Sequence, residues 1–114
     1  MYMRNFKKYD FVRFEINGHF DRITYVKDVD GFTICVDGAW YTPCGDVAHV
    51  YMPEEHTGKG KTVSYTPPRT FTLRRCCKED IDEAKNNKRF DLNKYFECVE
   101  LRRQNNIYPT DYND

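Results

Sequence analysis

The first half of the chain alternates between apolar and polar residues and is interrupted by two-residue turns. Residues 12–16 place valine, phenylalanine and isoleucine between charged residues, which is the period of a half-buried strand. Asn17-Gly18 follows this segment, and Asp37-Gly38 recurs twenty residues later. Both dipeptides accept the positive φ angles of a type I′ hairpin turn. The pattern therefore predicts consecutive antiparallel hairpins rather than long helices.

Five short strands can be placed in this half. They are predicted over residues 12–16, 20–27, 32–36, 39–42 and 47–52. Short strands joined by tight turns bury their apolar face most readily when the sheet curls on itself. We therefore expect a small SH3-like antiparallel β-barrel, and the alternatives are an OB-like barrel or an open, curled meander.

One stretch of this pattern is similar to a known class of small barrel. Asp10-Phe11-Val12-Arg13-Phe14, a hairpin, and Asp21-Arg22-Ile23-Thr24-Tyr25-Val26 resemble SH3-like barrels of the KOW and Tudor type over residues 9–53. Such barrels host protein, RNA and peptide binding alike. The resemblance implies a binding module and leaves the ligand class open.

The second half continues with different local signals. Residues 54–68 contain two glycines and a Pro-Pro pair, which predict an exposed loop. Residues 69–77 resume as an extra strand, with Phe71 and Leu73 on one face. The fold class is thus α+β, with this strand and two C-terminal helices added to the barrel in one domain over residues 1–114.

The two helices are predicted within residues 79–104. Acidic residues crowd the first turn of the first helix, where they suit the positive end of the helix dipole. Asp91 is a suitable N-cap for the second helix. Leu92, Tyr95, Phe96 and Val99 recur at helical spacing and are predicted to face the core. The polar tail over residues 105–114 is predicted to be frayed.

Charge is distributed unevenly along a chain whose formal net charge is zero. Residues 57–78 carry six bases and no acid, whereas residues 1–56 and 79–100 each carry a net charge of −3. The basic side chains are the predicted contacts to a partner or to phosphate: Lys59, Lys61, Arg69, Arg74, Arg75 and Lys78. Clustered bases attract phosphate, but they can equally pair with the neighbouring acids.

Aromatic side chains offer a second kind of contact. Tudor-like barrels hold methylated ammonium groups in aromatic cages by cation–π attraction. The candidate cage residues here are Tyr25, Phe32, Trp40 and Tyr41. Trp40 and Tyr41 are adjacent in a strand, so only one of them can face the core. We predict an exposed aromatic contact from this pair and another from Tyr65.

No motif in the chain predicts catalysis, a cofactor or a metal. Gly60-Lys61-Thr62 lacks the earlier glycine and the following helix of a phosphate-binding loop. The adjacent Cys76 and Cys77 lack the spacing of zinc ligands, and the pair Cys44 and His49 has no third group to complete a catalytic site. His19, near Asp21 and Arg22, is interpreted as an exposed hairpin histidine rather than an acid–base catalyst of RNA cleavage. We therefore expect no enzymatic activity, no cofactor and no metal.

Cysteine usage and the opening residues bear on the cellular compartment. The five cysteines are an odd number, which favours reduced thiols over a disulfide framework. Residues 1–8 carry charges where a signal peptide has a continuous apolar run. The longest apolar stretches are much shorter than a membrane helix. We expect a soluble, cytoplasmic protein.

Two functional hypotheses follow from these features. The first is a protein-binding module or inhibitor that occludes a partner's surface. Its composition resembles that of small phage and mobile-element products that block host defence nucleases. The second is an RNA- or single-stranded-DNA-binding module that uses the basic segment 57–78. A dedicated duplex binder normally carries a basic excess over the whole domain, so net neutrality favours the protein partner.

Overall fold

A computed structural model describes residues 5–114 of the chain. Its strands are β1 (Phe11–Ile16), β2 (His19–Asp30), β3 (Thr33–Val36), β4 (Ala39–Tyr41), β5 (Val47–Met52), β6 (Glu55–Thr57), β7 (Ser64–Thr66) and β8 (Arg69–Arg75), and its helices are α1 (Lys78–Ala84) and α2 (Leu92–Gln104). The five predicted strands of the first half are all present, and β2 extends three residues beyond its predicted end.

Six strands form one antiparallel sheet in the order β4-β3-β2-β1-β8-β5. The sheet curls into a nearly closed, barrel-like structure, and both helices follow it in the chain, which confirms the predicted α+β class. Within residues 5–114, no helix combines the length and apolar character needed to cross a membrane.

Both predicted hairpin turns are present, and their backbone angles explain their sequences. Asn17 and Gly18 have φ angles of 51° and 79°, and Asp37 and Gly38 have φ angles of 49° and 83°. All four values lie in the left-handed region, which glycine, asparagine and aspartate tolerate best. These turns set the β1–β2 and β3–β4 pairings.

Strand β1 is buried on both faces, because it separates two cores. Val12 and Phe14 point into the barrel, where they pack with residues such as Leu73 of β8. Phe11 points the other way and packs beneath the helices, against Tyr95 and other residues of a second cluster. A strand with only one buried face, as the alternation predicts, accounts for the first core alone.

Helix α2 turns a different face to the sheet from the predicted one. Its Asp91 cap is confirmed, since the carboxylate accepts a hydrogen bond from the Lys94 N–H at 3.1 Å. The prediction that Leu92 and Phe96 face the core is wrong, because both are more than half exposed. Val99 is partly buried. The face that packs on the sheet consists of Tyr95, which the helical spacing predicts correctly, together with Cys98 and Arg102.

Two long-range contacts explain this rotation of α2. The ring of Tyr95 stacks on Phe11 with centroids 5.4 Å apart. The guanidinium of Arg102 donates to the carbonyl oxygens of Tyr9, Pro109 and Tyr112. Neither set of partners lies within the helix, so helical spacing alone does not reveal the buried face.

The C-terminal tail is ordered, which corrects the prediction of a frayed segment over residues 105–114. The Asn113 side chain accepts a hydrogen bond from the Phe11 N–H and donates to the carbonyl oxygens of Phe11 and Cys76. Asp114 accepts a hydrogen bond from the buried Arg75 at 2.9 Å. A polar tail is thus held by hydrogen bonds rather than by apolar burial.

Residues 54–68, which we call the arm, contain structure that the prediction of an exposed loop did not include. Strands β6 and β7 pair across a 3₁₀ turn at Gly60–Thr62. Met52 lies opposite Arg69 and Glu55 opposite Thr66, so the register of the β5–β8 ladder continues into the arm without a shift. Prolines at 53, 67 and 68 lack the N–H that a ladder needs and separate the two segments.

The arm is exposed, as predicted, even though it is paired. Every residue from 53 to 65 is exposed to solvent. Gly58 has a φ of 102°, and a side chain there would collide with the Thr62 carbonyl oxygen, so the turn of the arm requires glycine. The arm is the outer part of one long hairpin that extends away from the barrel core.

Candidate functional site

Trp40 and Tyr41 face opposite sides of the short edge strand β4. Tyr41 packs against the barrel core, whereas 53% of Trp40 is exposed. The Asp37-Gly38 turn and the pairing of Trp40 with Cys35 on β3 determine this orientation. The structure therefore identifies Trp40 as the exposed member of the pair.

Trp40 borders a groove between the outer face of the sheet and helix α2, which we call the Trp40 groove. Its volume is about 660 Å³, and its aromatic lining combines Trp40 with Tyr9 and Tyr25. The rings of Tyr9 and Tyr25 lie 6.4 Å apart. Glu97 and Leu101 of α2 provide the opposite wall. This volume lies in the range of ordinary ligand pockets.

The groove arises because the helices cover only part of the sheet. Helix α2 packs mainly on β2. The outer faces of β3 and β4 then extend past the helix, and the cross-strand pair Cys35 and Trp40 lies on this extension. The groove therefore lies where the sheet is no longer covered by α2.

A hydrogen bond and an ion pair hold the wall of the Trp40 groove at Tyr25. The Tyr25 hydroxyl donates to Glu97 at 2.9 Å. Burial, together with this neighbouring carboxylate, raises the pKa of Tyr25 well above its usual value. The Lys94 ammonium lies 5.1 Å from the centre of the Tyr25 ring and 3.4 Å from a Glu97 carboxylate oxygen. Tyr25 therefore remains a neutral hydrogen-bond donor.

Asp37 anchors the turn beside the groove. Its carboxylate accepts hydrogen bonds from Arg22 at 2.9 Å and from the Thr24 hydroxyl at 2.8 Å. Burial alone raises the pKa of Asp37, but these hydrogen bonds and the charges of Arg22 and Lys94 outweigh it and lower the pKa below its ordinary value. The turn that carries β4 is thus fixed by an ionised carboxylate at neutral pH.

Two lysines at the Trp40 groove lack an opposite charge. Among residues 5–114, Lys8 and Lys27 line the groove and form no ion pair with a carboxylate. Asp28 also lines the groove and accepts a hydrogen bond from the Val29 N–H at 2.9 Å. Lys8, Lys27 and Asp28 together place a net charge of +1 beside the aromatic lining.

The predicted aromatic cage residues do not all meet. Tyr25 and Trp40 line the same groove, but Phe32 is 90% exposed at the β2–β3 turn and Tyr41 packs in the core. Tyr9 is the third ring, and sequence reasoning missed it. Tyr9 has a φ of 67° just before β1 and belongs to no periodic pattern that could have identified it.

Three of the six predicted basic residues are paired with acids in the structure. Arg75 is buried and bonded to Asp10 at 2.7 Å. Arg74 is bonded to Asp80 at 3.0 Å, and Lys78 to Asp82 at 3.1 Å. The structure thus pairs three members of the basic segment with acids.

The other three predicted bases lie in or beside the arm. Lys59 and Lys61 are exposed at its turn and form no ion pair with a described residue. Arg69, at the base of the arm, is partly buried, and its guanidinium lies 5.5 Å from the centre of the Phe71 ring. Tyr65 is 55% exposed on β7, and its ring lies tilted against that of His56 with centroids 5.0 Å apart.

All five cysteines are free thiols. Burial raises the pKa of the Cys98 thiol to about 12 and that of Cys76 well above its usual value. Within residues 5–114, no three histidine, cysteine or acidic side chains are arranged to hold a metal ion. His49 lies 3.3 Å from the Thr72 hydroxyl, its cross-strand neighbour on β8.

Comparisons of the chain with protein-family models, curated proteins and solved structures found no match.

Proposed function

We propose that this chain is a non-catalytic protein-binding module that occludes a surface of its partner through the Trp40 groove. The observation that carries the proposal is the 53% exposure of Trp40 at the border of a groove lined by Tyr9 and Tyr25. Burial of apolar surface against a partner lowers the free energy of the complex. Tryptophan and tyrosine are the side chains that most often dominate protein interfaces.

The scaffold is compatible with this role. We interpret the barrel-like sheet as SH3-like, a class that hosts binding to several kinds of ligand. The zero net charge of the chain favours a protein over nucleic acid. Five free thiols suit a reducing compartment, so the proposed location is the cytoplasm.

The mode of action in this proposal is steric inhibition. A module that covers a partner's surface needs no catalytic residues of its own. We propose a host defence nuclease, or a complex that processes nucleic acid, as the partner class, on the resemblance in composition to small phage and mobile-element inhibitors. Such an inhibitor binds one protein tightly and has little affinity for free nucleic acid.

A Trp40→Ala substitution is expected to abolish capture of the partner protein. Removal of a central aromatic anchor costs about 2 kcal/mol or more of binding free energy, which is at least about thirtyfold in affinity. The measurement is affinity capture from the source cells with the tagged full chain, followed by titration of the captured protein. Trp40 is exposed, so the variant is expected to unfold at the same urea concentration as the wild type.

The matched control is Tyr51→Ala. Tyr51 is 67% exposed on β5 and is not among the residues that line the Trp40 groove, so its loss is expected to leave capture unchanged. A protein retained equally by the wild type and both variants would contradict the assignment to the Trp40 groove. Failure to capture any protein would contradict the proposed function itself.

A second candidate function is contact with single-stranded nucleic acid through the arm. Lys59 and Lys61 are exposed and have no ion-pair partner among the described residues, and Tyr65 presents a ring close to them in sequence. Lysines attract phosphate and exposed rings stack on unpaired bases. Because Arg74, Arg75 and Lys78 are paired with acids, only the arm end of the basic segment supports this candidate.

Lys61→Ala is expected to reduce the salt dependence of any binding to single-stranded RNA or DNA. Each phosphate contact contributes about 0.7 to the slope of log K against log salt concentration for single strands, so the slope is expected to fall by about this amount. Fluorescence anisotropy with a labelled strand at several salt concentrations measures it. Lys88→Ala, which removes an exposed lysine outside the arm, is the control. No anisotropy change with the wild-type protein would eliminate this candidate.

A further inference from the structure

The lining of the Trp40 groove combines aromatic rings with charged side chains. Its lining is aromatic, from Tyr9, Tyr25 and Trp40, and its unpaired positive charges come from Lys8 and Lys27. The acid on the opposite wall, Glu97, is already engaged by the Tyr25 hydroxyl and by Lys94. An incoming group therefore meets an aromatic surface flanked by two ammonium groups without an ion pair among the described residues and by one carboxylate, that of Asp28.

We infer that the Trp40 groove binds an acidic peptide segment of the partner, with a large apolar side chain against Trp40 and flanking carboxylates on Lys8 and Lys27. This inference rests on the proposed function and specifies the chemistry of the partner. Charge complementarity selects the acidic segment, because a basic one would meet two unpaired lysines and gain only Asp28. Like charges at an interface cost binding free energy and select against the wrong partner.

The size of the groove limits the segment to a few residues. The α2 wall runs from Glu97 to Leu101, which is about 6 Å of helix at 1.5 Å per residue. An extended peptide covers this length with about two residues. One or two apolar side chains with acidic neighbours on each side therefore satisfy both the groove and the lysines.

The probe is the capped hexapeptide Ac-EELFEE-amide, compared with Ac-KKLFKK-amide. Both peptides present the same apolar pair and differ only in the sign of the flanking charges. Trp40 is the only tryptophan in the sequence, so intrinsic fluorescence of the full chain reports directly on the groove. Titrations followed by Trp40 emission are expected to show at least tenfold higher affinity for the acidic peptide than for the basic one. This preference is expected to shrink with added salt.

A charge-reversed variant completes the test. In the double substitution Lys8→Glu and Lys27→Glu, the preference is expected to invert, so that the basic peptide binds more tightly. Both lysines are exposed, so the variant is expected to fold, which circular dichroism checks. Equal affinity of the two peptides, an unchanged preference in the double variant, or no change in Trp40 emission at about 1 mM peptide would each overturn the inference.

Failure of this inference is distinguishable from failure of the proposed function. If a partner is captured in a Trp40-dependent manner but neither peptide binds, the module stands and the acidic-segment assignment is wrong. If the acidic peptide binds with the expected preference but no protein is captured, the groove chemistry stands and the proposed cellular role is wrong.

Discussion

Replacement of Arg102 by methionine is expected to lower the free energy of unfolding by about 3 to 5 kcal/mol, the range for removing one partner from a buried charged network. Arg102 is 1% exposed. It donates to the carbonyl oxygens of Tyr9 at 2.9 Å, Pro109 at 2.7 Å and Tyr112 at 3.0 Å. Methionine retains much of the volume but removes the donor to the Pro109 and Tyr112 carbonyl oxygens and leaves that of Tyr9 with the Cys98 thiol. It also removes the positive charge 3.7 Å from Asp10.

Urea denaturation measures this loss as a shift in the transition midpoint at an unchanged m-value. The matched control is Arg103→Met, one residue along the same helix. Among residues 5–114, Arg103 forms an ion pair only with Glu100, on the exposed face of α2, so its loss is expected to leave the midpoint nearly unchanged. Similar midpoints for the two variants would mean that the buried guanidinium does not hold the tail and α2 together.

Asn113→Ala is expected to cost about 3 kcal/mol, because each buried polar group left unpaired costs about 1 to 3 kcal/mol. The Asn113 side chain accepts from the Phe11 N–H at 2.8 Å and donates to the carbonyl oxygens of Phe11 at 3.0 Å and Cys76 at 2.8 Å. It bridges the start of β1 and the end of β8 and is 4% exposed. Alanine forms none of these bonds.

Hydrogen exchange locates the effect of Asn113→Ala as well as its size. Exchange of the Phe11 amide is expected to accelerate, since the carboxamide oxygen of Asn113 protects it. The control is Asn105→Ala, which removes an exposed carboxamide from the C-terminal end of α2. If Asn113→Ala left both the unfolding midpoint and this exchange rate unchanged, the tail would be frayed, as the sequence alone predicts.

The predictions that proved correct concern features set by neighbours in the chain. A type I′ turn needs two residues that accept positive φ, and Asn17-Gly18 supplies them locally. An N-cap needs an acceptor three residues before an unpaired N–H, and Asp91 supplies it. The alternation of β1 likewise reports one buried face without any knowledge of what covers it.

The errors concern features whose partners are distant in sequence. Leu92 and Phe96 fit a helical stripe, yet α2 buries Arg102, which donates to the Tyr9 carbonyl oxygen. Helical spacing does not reveal this contact, because Tyr9 lies 93 residues earlier in the chain. Arg75 is part of a basic segment in the sequence but pairs with Asp10, 65 residues away. The polarity of the tail suggested fraying because the pattern does not show the carbonyl oxygens that Asn113 reaches.

The candidate site was predictable only in part for the same reason. Adjacency in a strand shows that Trp40 or Tyr41 must be exposed, and it leaves the choice open. The choice depends on which side of β4 faces the barrel core, and the presence of Tyr9 and Leu101 depends on where α2 crosses the sheet. No spacing along the chain encodes either position.

Local sequence signals thus account for the six strands of the main sheet, the two hairpin turns, the helix cap and the α+β class, because φ preferences, capping and alternation act between residues a few positions apart. Long-range contacts instead establish which bases are neutralised, which face of α2 is buried, that the tail is held, and that Tyr9, Tyr25 and Trp40 share one groove. These outcomes depend on hydrogen bonds, charges and packing between residues that meet only when the sheet curls and the helices cover part of its outer face.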